Sequence, residues 1–178
     1  DLVCMDNIKI KPKSSLETKK FIYVASGEPH KNHNNLIAAW KILASNGITP
    51  ELNLTLDKSN FKNIHTLIQK TVEKNNLLII NHGVLSHEEV LLLYSEMDAL
   101  VYPSMLESFG LPLVEATQFS LPIIASELDY VRDVSNPNET FDPKSPTSIA
   151  RAVKRFLIYE ESLKKIRTPN QFLKEIIK

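Results

Sequence analysis

This chain of 178 residues lacks the features that mark several large classes of protein. Cys4 is its single cysteine, so no internal disulfide can form, which suits a reducing compartment. No apolar run approaches the roughly 18 to 20 residues of a membrane span. The formal net charge is zero, so no overall field attracts nucleic acid or an anionic membrane. The composition predicts a soluble, cytoplasmic protein without a nucleic-acid partner.

Motifs of several enzyme classes are also missing. The chain has no Gly-x-Gly-x-x-Gly or Gly-Lys-Thr phosphate loop and no Gly-x-Ser-x-Gly elbow, which argues against dehydrogenases, NTPases and hydrolases. It has no Asp-x-Asp pair, the usual carboxylate grip for a metal-bound sugar nucleotide. Neither His30 with His33 nor His82 with His87 has further ligands at a suitable spacing, so we expect no metal. We expect His30 to line a phosphate loop and His87 to be exposed at a helix start.

Short apolar runs alternate with longer segments of helical periodicity, which is the pattern of βα units around a parallel sheet in an α/β fold. The predicted strands are Lys20 to Ala25, Glu51 to Leu56, Leu77 to Asn81, Ala99 to Tyr102 and Pro122 to Ala125, with a weaker one near Thr140. The predicted helices are Asn34 to Asn46, Phe61 to Glu73, Ser86 to about Met97, Pro112 to about Phe119, Ser145 to Tyr159 and Leu163 to Ile177, with an interruption at Thr168-Pro169. Residues 1–19 are expected to be a loosely structured lead-in to a domain over 20–178.

Three of the four glycines, Gly27, Gly83 and Gly110, each follow a predicted strand within a few residues. On a parallel sheet all three would gather at the carboxyl edge, where open α/β sheets bind ligands. A single glycine favours any turn and would mean little. Three at the same edge favour a binding site.

The stretch YPSMLESFGLPLVEA, residues 102–116, holds Glu107 and Glu115 on either side of Gly110. Pro112 suits a first helical turn, so the N–H groups of residues 109–111 lie at a helix N-terminus, where no intrahelical carbonyl satisfies them. These donors and the helix dipole form an anion site, and Gly110 lets a phosphate oxygen approach. The stretch therefore predicts a phosphate cradle.

The two glutamates are candidates to hold the groups that a diphosphate joins. Glu115 falls about one turn into the helix, where its carboxylate could accept two hydrogen bonds from a ribose diol. Glu107 lies on the other side of the cradle. A glutamate in a first helical turn is also simply favourable with the helix dipole, and 24% of the chain is charged. The spacing alone leaves both interpretations open.

Charge is unevenly distributed along the chain. From Asn81 through Asp142 the only Lys or Arg is Arg132, against eleven Asp and Glu. From Arg151 to the end the sign reverses, with eight basic residues against three acidic. A diphosphate in the acidic middle must rely on backbone N–H groups and on a lysine from elsewhere, and Lys31 is placed to supply it. Without the surrounding motif, a solvated loop lysine would be the simpler interpretation.

Several motifs resemble those of retaining glycosyltransferases of the GT4 type, glycosyl transferases group 1. ESFGLPLVEA resembles their E-x7-E signature, and FIYVASGEPHKNHNNLIAAW resembles their first strand, loop and helix, with Lys31-Asn32 at the lysine–asparagine pair. NHGVLSHEEVLLLYSEMDALVYPS, LPIIAS and FDPKSPTSIARAV resemble the segments before and after the signature, in the family's order over about residues 20–157. The resemblance implies the C-terminal, donor-binding half of a GT-B fold, a Rossmann-like three-layer domain with about six parallel strands.

The resemblance also implies a role for each matching position. Lys31 would contact the diphosphate of a nucleoside diphosphate sugar and Glu107 would touch the donor sugar, which makes both candidate catalytic residues. Glu115 would hold the ribose. Backbone contacts would come from Gly83 and Val84 to the base and from Phe109, Gly110 and Leu111 to the distal phosphate. The implied activity is metal-independent, retaining transfer to a glycan or lipid-linked acceptor, with no cofactor besides the donor.

The chain departs from the family pattern at two places. Ala25 and Ser26 stand where members often carry an arginine as a second phosphate cation, so we expect weaker diphosphate binding or a cation from elsewhere. Ser120 stands where a glycine is often found. A complete active site would need an N-terminal acceptor domain that these residues do not include, so little or no transfer by the chain alone is expected. Half of a nucleotide-sugar epimerase and a non-catalytic glycosyltransferase subunit remain open alternatives.

The last predicted helix, Leu163 to Ile177, carries basic residues beside apolar ones and could lie on a membrane surface. Packing of its apolar face on the domain, or on a partner half, is the simpler interpretation. Peripheral association of the full-length protein with the inner face of a membrane is therefore the alternative expectation.

Overall fold

The computed structural model describes residues 18–165, with side chains as far as residue 158. Six strands form one sheet in which every pairing is parallel. The strands are β1 Lys20–Tyr23, β2 Glu51–Leu54, β3 Ile79–Asn81, β4 Ala99–Tyr102, β5 Ile123–Ser126 and β6 Glu139–Phe141. Their order across the sheet is β3-β2-β1-β4-β5-β6. The order reverses between β1 and β4, the place where such sheets bind ligands.

Helices connect the strands and cover both faces of the sheet. They are α1 His33–Ser45, α2 Lys62–Asn75, α3 His87–Tyr94, α4 Leu111–Gln118, α5 Asp129–Val134 and α6 Pro146–Lys165, with a short 3-10 helix, Pro29–Lys31, before α1. Helix α1 contacts α2 and α6, whereas α4 contacts α5. Because parallel crossovers are right-handed, connections that run in opposite directions along the sheet lie on opposite faces. The result is a helix–sheet–helix sandwich.

The core lies on both faces of the central strands. Every residue of β4 and β5 is buried, as expected for a parallel sheet covered on two sides. Phe21 of β1 packs edge-on against Trp40 of α1 at 5.6 Å and against Phe156 of α6 at 5.9 Å between ring centroids. Burial of a phenylalanine side chain of this kind contributes about 3 kcal/mol. These contacts fix α1 and α6 to β1, and the candidate site lies at the carboxyl end of this strand.

The predicted α/β fold and all six predicted strands are confirmed, with strand ends that differ by no more than two residues. Helix α3 begins at the predicted capping box, in which Ser86 and Glu89 exchange side chain to backbone hydrogen bonds. Helix α5 is new: its six residues make less than two turns, and Leu128 at its N-cap provides no capping side chain.

One predicted boundary is wrong. Helix α6 runs without interruption to Lys165, whereas separate helices Ser145 to Tyr159 and Leu163 to Ile177 were expected. The three intervening residues include neither glycine nor proline, so nothing in them ends a helix. The rest of the second expected helix and nearly all of the 1–19 lead-in lie outside the described residues.

Candidate functional site

Lys31 and Glu107 form a close ion pair at the carboxyl edge of the sheet. The Lys31 ammonium donates to Oε1 and to Oε2 of Glu107, each over 2.8 Å. The side chains are only 17% and 10% exposed, so water screens this pair less than an ordinary surface pair. The Tyr102 hydroxyl, at the end of β4, donates to Oε1 over 2.9 Å. The candidate diphosphate cation and the candidate sugar-contacting acid therefore meet in the free chain.

Two backbone contacts hold Lys31 in place. Lys31 ends the 3-10 helix in the loop after β1, and its carbonyl accepts a hydrogen bond from the Tyr23 hydroxyl over 2.7 Å. The neighbouring carbonyl of His30 accepts from the N–H of Met105 over 2.8 Å. The second contact ties the loop after β1 to the loop after β4, which carries Glu107.

Asn32 joins three loops at the same edge. It is the N-cap of α1, with a left-handed backbone at φ 63°, and it is 4% exposed. Asparagine adopts this conformation more readily than most residues. Its side-chain amide donates to the carbonyl of Pro103 over 3.0 Å and to that of Pro143 over 2.7 Å. The loops after β1, β4 and β6 are thereby held in one arrangement.

The surroundings of Glu107 keep it ionised. Burial opposes the charged form, but hydrogen bonds from Lys31, Ser104 and Tyr102 outweigh it and hold the pKa of the Glu107 carboxyl below its usual range. Burial, together with the Glu107 charge, raises the pKa of the Tyr102 hydroxyl. At neutral pH the site therefore contains a carboxylate that accepts hydrogen bonds and a phenol that donates one.

The turn that opens α4 lies at the surface. Gly110 is the N-cap with φ 76°, in the left-handed region that favours glycine, and Pro112 lies in the first helical turn as predicted. Phe109 and Leu111 are 56% and 55% exposed, whereas Gly110 is buried. The turn is thus open at its two outer residues, whose N–H groups precede the intrahelical hydrogen bonds.

Glu115 faces a different element from Glu107. It lies in α4, is 7% exposed, and points towards α3. His87 Nε2 lies 2.9 Å from its Oε1, and the Tyr94 hydroxyl donates to its Oε2 over 3.1 Å. Because a buried carboxylate is costly without hydrogen bonds, these two partners explain how Glu115 is tolerated there.

The loop after β3 approaches Glu115 through the start of α3. Gly83 has φ 77°, and its N–H donates to Oδ1 of Asn81 over 3.3 Å. The Val84 side chain is 73% exposed, and three residues later His87 contacts Glu115. The loop thus presents an uncovered surface beside the candidate ribose carboxylate.

Four side chains that matter to this geometry were not assigned a role from the sequence: Tyr102, Tyr94, His87 and Asn32. His87 is exposed as expected, but its ring contacts Glu115. His87 and Tyr94 are seven residues apart, which places them on one helix face, but a single sequence does not show what that face meets. The contact of His30 with the other loop is made by its backbone carbonyl.

A cavity of about 280 Å³ lies between the loop after β1 and the first turns of α2. His33 borders this cavity, is 3% exposed, and has no hydrogen-bond partner for either ring nitrogen among the described residues. Burial lowers the pKa of His33 to about 4, so its ring is neutral at pH 7.

Two further absences concern the described part of the chain only. Within it, no group of three or more His, Cys, Asp or Glu side chains could hold a metal ion. No helix there combines the length and the apolar character needed to cross a membrane.

Residues 5–171 match a protein-family model described as glycosyl transferases group 1. Over 147 residues the chain is 31% identical to the serotype-specific mannosyltransferase WbdA of Escherichia coli, an alignment that covers 80% of this chain and 18% of that protein. It is 29% identical over 114 residues to the O-antigen chain mannosyltransferase RfbU of Salmonella typhimurium, covering 64% of this chain and 31% of the relative.

The fold also matches solved structures. Sucrose-phosphate synthase from Thermosynechococcus elongatus superposes with a TM-score of 0.69 at 24% identity, over 80% of this chain and 37% of that one. The chain thus spans less than a third of these two curated relatives and little more than a third of this structure.

Proposed function

This chain belongs to the glycosyl transferases group 1 family, and on that premise we propose that it binds a nucleoside diphosphate sugar as the donor side of a glycosyl transfer. The proposal rests on one arrangement: Glu107, paired with Lys31, precedes the surface turn that opens α4, and Glu115 follows that turn within the helix. A cation, a helix N-terminus and two carboxylates correspond to the charged and hydroxylated parts of such a donor.

We assign the diphosphate to Lys31 and to the backbone of residues 109–111. The Lys31 ammonium has three N–H donors, of which the Glu107 carboxylate engages two. The third donor can reach a phosphate oxygen, and the N–H groups before α4 add the positive end of the helix dipole. The turn is open at Phe109 and Leu111, so the phosphate would meet these outer N–H groups first.

We assign the remaining parts of the donor to the flanking residues. Glu107, held by Lys31 and Tyr102, would accept hydrogen bonds from the donor sugar. Glu115 would accept the ribose hydroxyls. The base would lie against the backbone of Gly83 and Val84, where the loop after β3 is uncovered.

The proposed chemistry is electrostatic. During transfer the bond between the anomeric carbon and the diphosphate oxygen breaks and negative charge builds on the leaving diphosphate. The acceptor hydroxyl oxygen bonds to that carbon, and its proton passes to the departing phosphate oxygen. Lys31 and the α4 N-terminus would stabilise this charge without a metal ion. Retention of anomeric configuration is part of the proposal, by family membership alone.

We further propose that the acceptor is a glycan or a lipid-linked acceptor, and the name of the O-antigen chain mannosyltransferase relative supports a glycan. An acceptor domain outside these residues would complete the site, and the chain alone is expected to bind donor with little or no turnover. The competing assignment is a non-catalytic subunit, which the missing arginine at Ala25 and Ser26 favours. Absence of nucleotide binding would select it.

The test is calorimetric titration of uridine, guanosine and adenosine diphosphates into the wild type and into Lys31→Ala and Glu115→Ala. Hydrogen bonds to charged groups contribute about 1.5–3 kcal/mol, so each variant should bind the preferred nucleotide about 10- to 150-fold more weakly. Lys41→Ala, at an exposed position of α1, is the matched control and should bind like the wild type. Wild-type affinity in both site variants would refute the assignment.

A further inference from the structure

Helix α3 presents two hydrogen-bonding side chains to one carboxylate of α4. His87 Nε2 lies 2.9 Å from Oε1 of Glu115, and the Tyr94 hydroxyl donates to Oε2 over 3.1 Å. His87 and Tyr94 are two helical turns apart and share a face of α3. Val90 lies between them on that face and is 8% exposed, so this face of α3 packs against the core. Glu115 is therefore held at both oxygens by one rigid element.

The two contacts leave a defined capacity for a ligand. Each carboxylate oxygen accepts two hydrogen bonds, and α3 uses one on each. One acceptor site remains on Oε1 and one on Oε2 of a carboxylate that the two contacts hold in one orientation. Two adjacent acceptors of this kind match two adjacent hydroxyl groups.

We propose that His87 and Tyr94 are positioning residues that orient Glu115 for the 2′- and 3′-hydroxyls of a ribose and so make nucleotide binding selective for an intact diol. The inference rests on the proposed function, because it takes Glu115 to be the ribose carboxylate. Its chemical basis is preorganisation, since a carboxylate already fixed in the receiving orientation loses less freedom when the diol binds.

The two positioning residues differ in their surroundings. Tyr94 is 1% exposed, and burial together with the Glu115 charge raises the pKa of its hydroxyl, so it donates at every physiological pH. The His87 side chain is 64% exposed. Its replacement therefore removes one hydrogen bond without opening a hole in the core, which makes it the cleaner variant.

The experiment compares nucleoside diphosphates with their 2′,3′-dideoxy forms. Uridine, guanosine and adenosine diphosphates, each in both forms, are titrated into the wild type, Glu115→Ala, His87→Ala, His87→Gln and Tyr94→Phe. Glu88→Gln, the exposed neighbour on α3, is the matched control. The quantity of interest is the ratio of the two dissociation constants, because a change in general fold quality affects both nucleotides alike.

The wild type should prefer the diol form, and Glu115→Ala should remove the preference. Loss of one hydrogen bond should lower the preference about three- to tenfold in His87→Ala, with less than a twofold change for the dideoxy form. Tyr94→Phe should act in the same direction. His87→Gln keeps an N–H donor and should recover part of the preference, while Glu88→Gln should match the wild type.

Three outcomes overturn the inference while leaving the ribose assignment intact: full preference retained in His87→Ala, a stronger preference in His87→Ala, or equal loss for both nucleotides. A stronger preference would mean that the imidazole competes with the ribose. A wild type without diol preference, or a preference that survives Glu115→Ala, overturns the assignment of Glu115 and the inference with it.

Discussion

Replacing Lys31 by methionine removes a positive charge and keeps most of the side-chain length. Glu107 then loses both hydrogen bonds from the ammonium while its side chain remains only 10% exposed. An exposed ion pair contributes up to about 1 kcal/mol, and removal of one partner from a fully buried pair costs about 3–5 kcal/mol. The Lys31–Glu107 pair lies between these limits, so we expect the free energy of unfolding to fall by about 1–3 kcal/mol at pH 7.

The loss should depend on pH in a predictable direction. The pKa of the folded Glu107 carboxyl lies below its usual range, whereas in the unfolded chain it is about 4.3. The unfolded state therefore binds more protons, and the contribution of the pair is present above about pH 4.3 and is lost as the pH falls through the folded pKa. The difference between wild type and Lys31→Met should shrink as the pH is lowered below about 4.3 towards the folded pKa of Glu107.

The assay is urea denaturation of wild type, Lys31→Met, Glu107→Gln and the double variant at pH 7 and at about pH 3. The double-mutant cycle should give a coupling energy of about 1 kcal/mol or more at pH 7 and a smaller one at about pH 3. Lys41→Met, at an exposed site on α1, controls for loss of a charge. Equal destabilisation at both pH values, or additive single effects at pH 7, would show that the pair does not act as described.

Three other substitutions test the frame around the site. Gly110→Ala should destabilise the fold by about 1–2 kcal/mol, and by more than Gly47→Ala, as measured by thermal denaturation. Both glycines have positive φ, but only at Gly110 does a new Cβ meet a side chain, 3.1 Å from Leu113 Cδ1. Equal losses of stability would show that this contact does not contribute. Asn32→Gly keeps the left-handed backbone and deletes the amide that joins the loops. It should lower the free energy of unfolding by about 1–3 kcal/mol in urea denaturation and weaken nucleotide binding. Unchanged binding would show that these hydrogen bonds do not support the site. His33→Leu should reduce the dependence of the free energy of unfolding on pH between pH 6.5 and 4. The reason is that a histidine whose pKa is lowered to about 4 contributes stability above pH 6.5 that is lost as the pH falls. An identical slope in the wild type and the variant would show that His33 is not a buried neutral imidazole.

The sequence predicts the sheet well because strands buried on both faces appear as short apolar runs, as in β4, Ala99–Tyr102. It also predicts the turn before α4, since Gly110 and Pro112 each have a local reason to be there. These features depend on the residue itself and its near neighbours. The continuity of α6 is also a local feature, but the sequence analysis missed it. A break was expected after Tyr159, although no glycine or proline follows that residue before Lys165.

The side-chain pairings were beyond the reach of a single sequence. Lys31 and Glu107 are 76 residues apart, and His87 and Glu115 are 28 apart. Residue type and spacing predicted that Lys31, Glu107 and Glu115 lie near the carboxyl edge of the sheet, but not which partner each of them contacts. Which face of α3 meets α4 is decided by packing across the sheet, and that packing made His87 a neighbour of the carboxylate.

The amide of Asn32 has a consequence for how small a functional piece of this chain can be. Its two acceptors, Pro103 and Pro143, lie 71 and 111 residues further along the chain, beyond the fourth and the sixth strand. During synthesis, Asn32 can therefore form its contact with Pro143 only after all six strands have been made. A truncation that ends before Pro143 would keep every residue assigned to the donor and still lack one of the two carbonyls that hold the Asn32 amide.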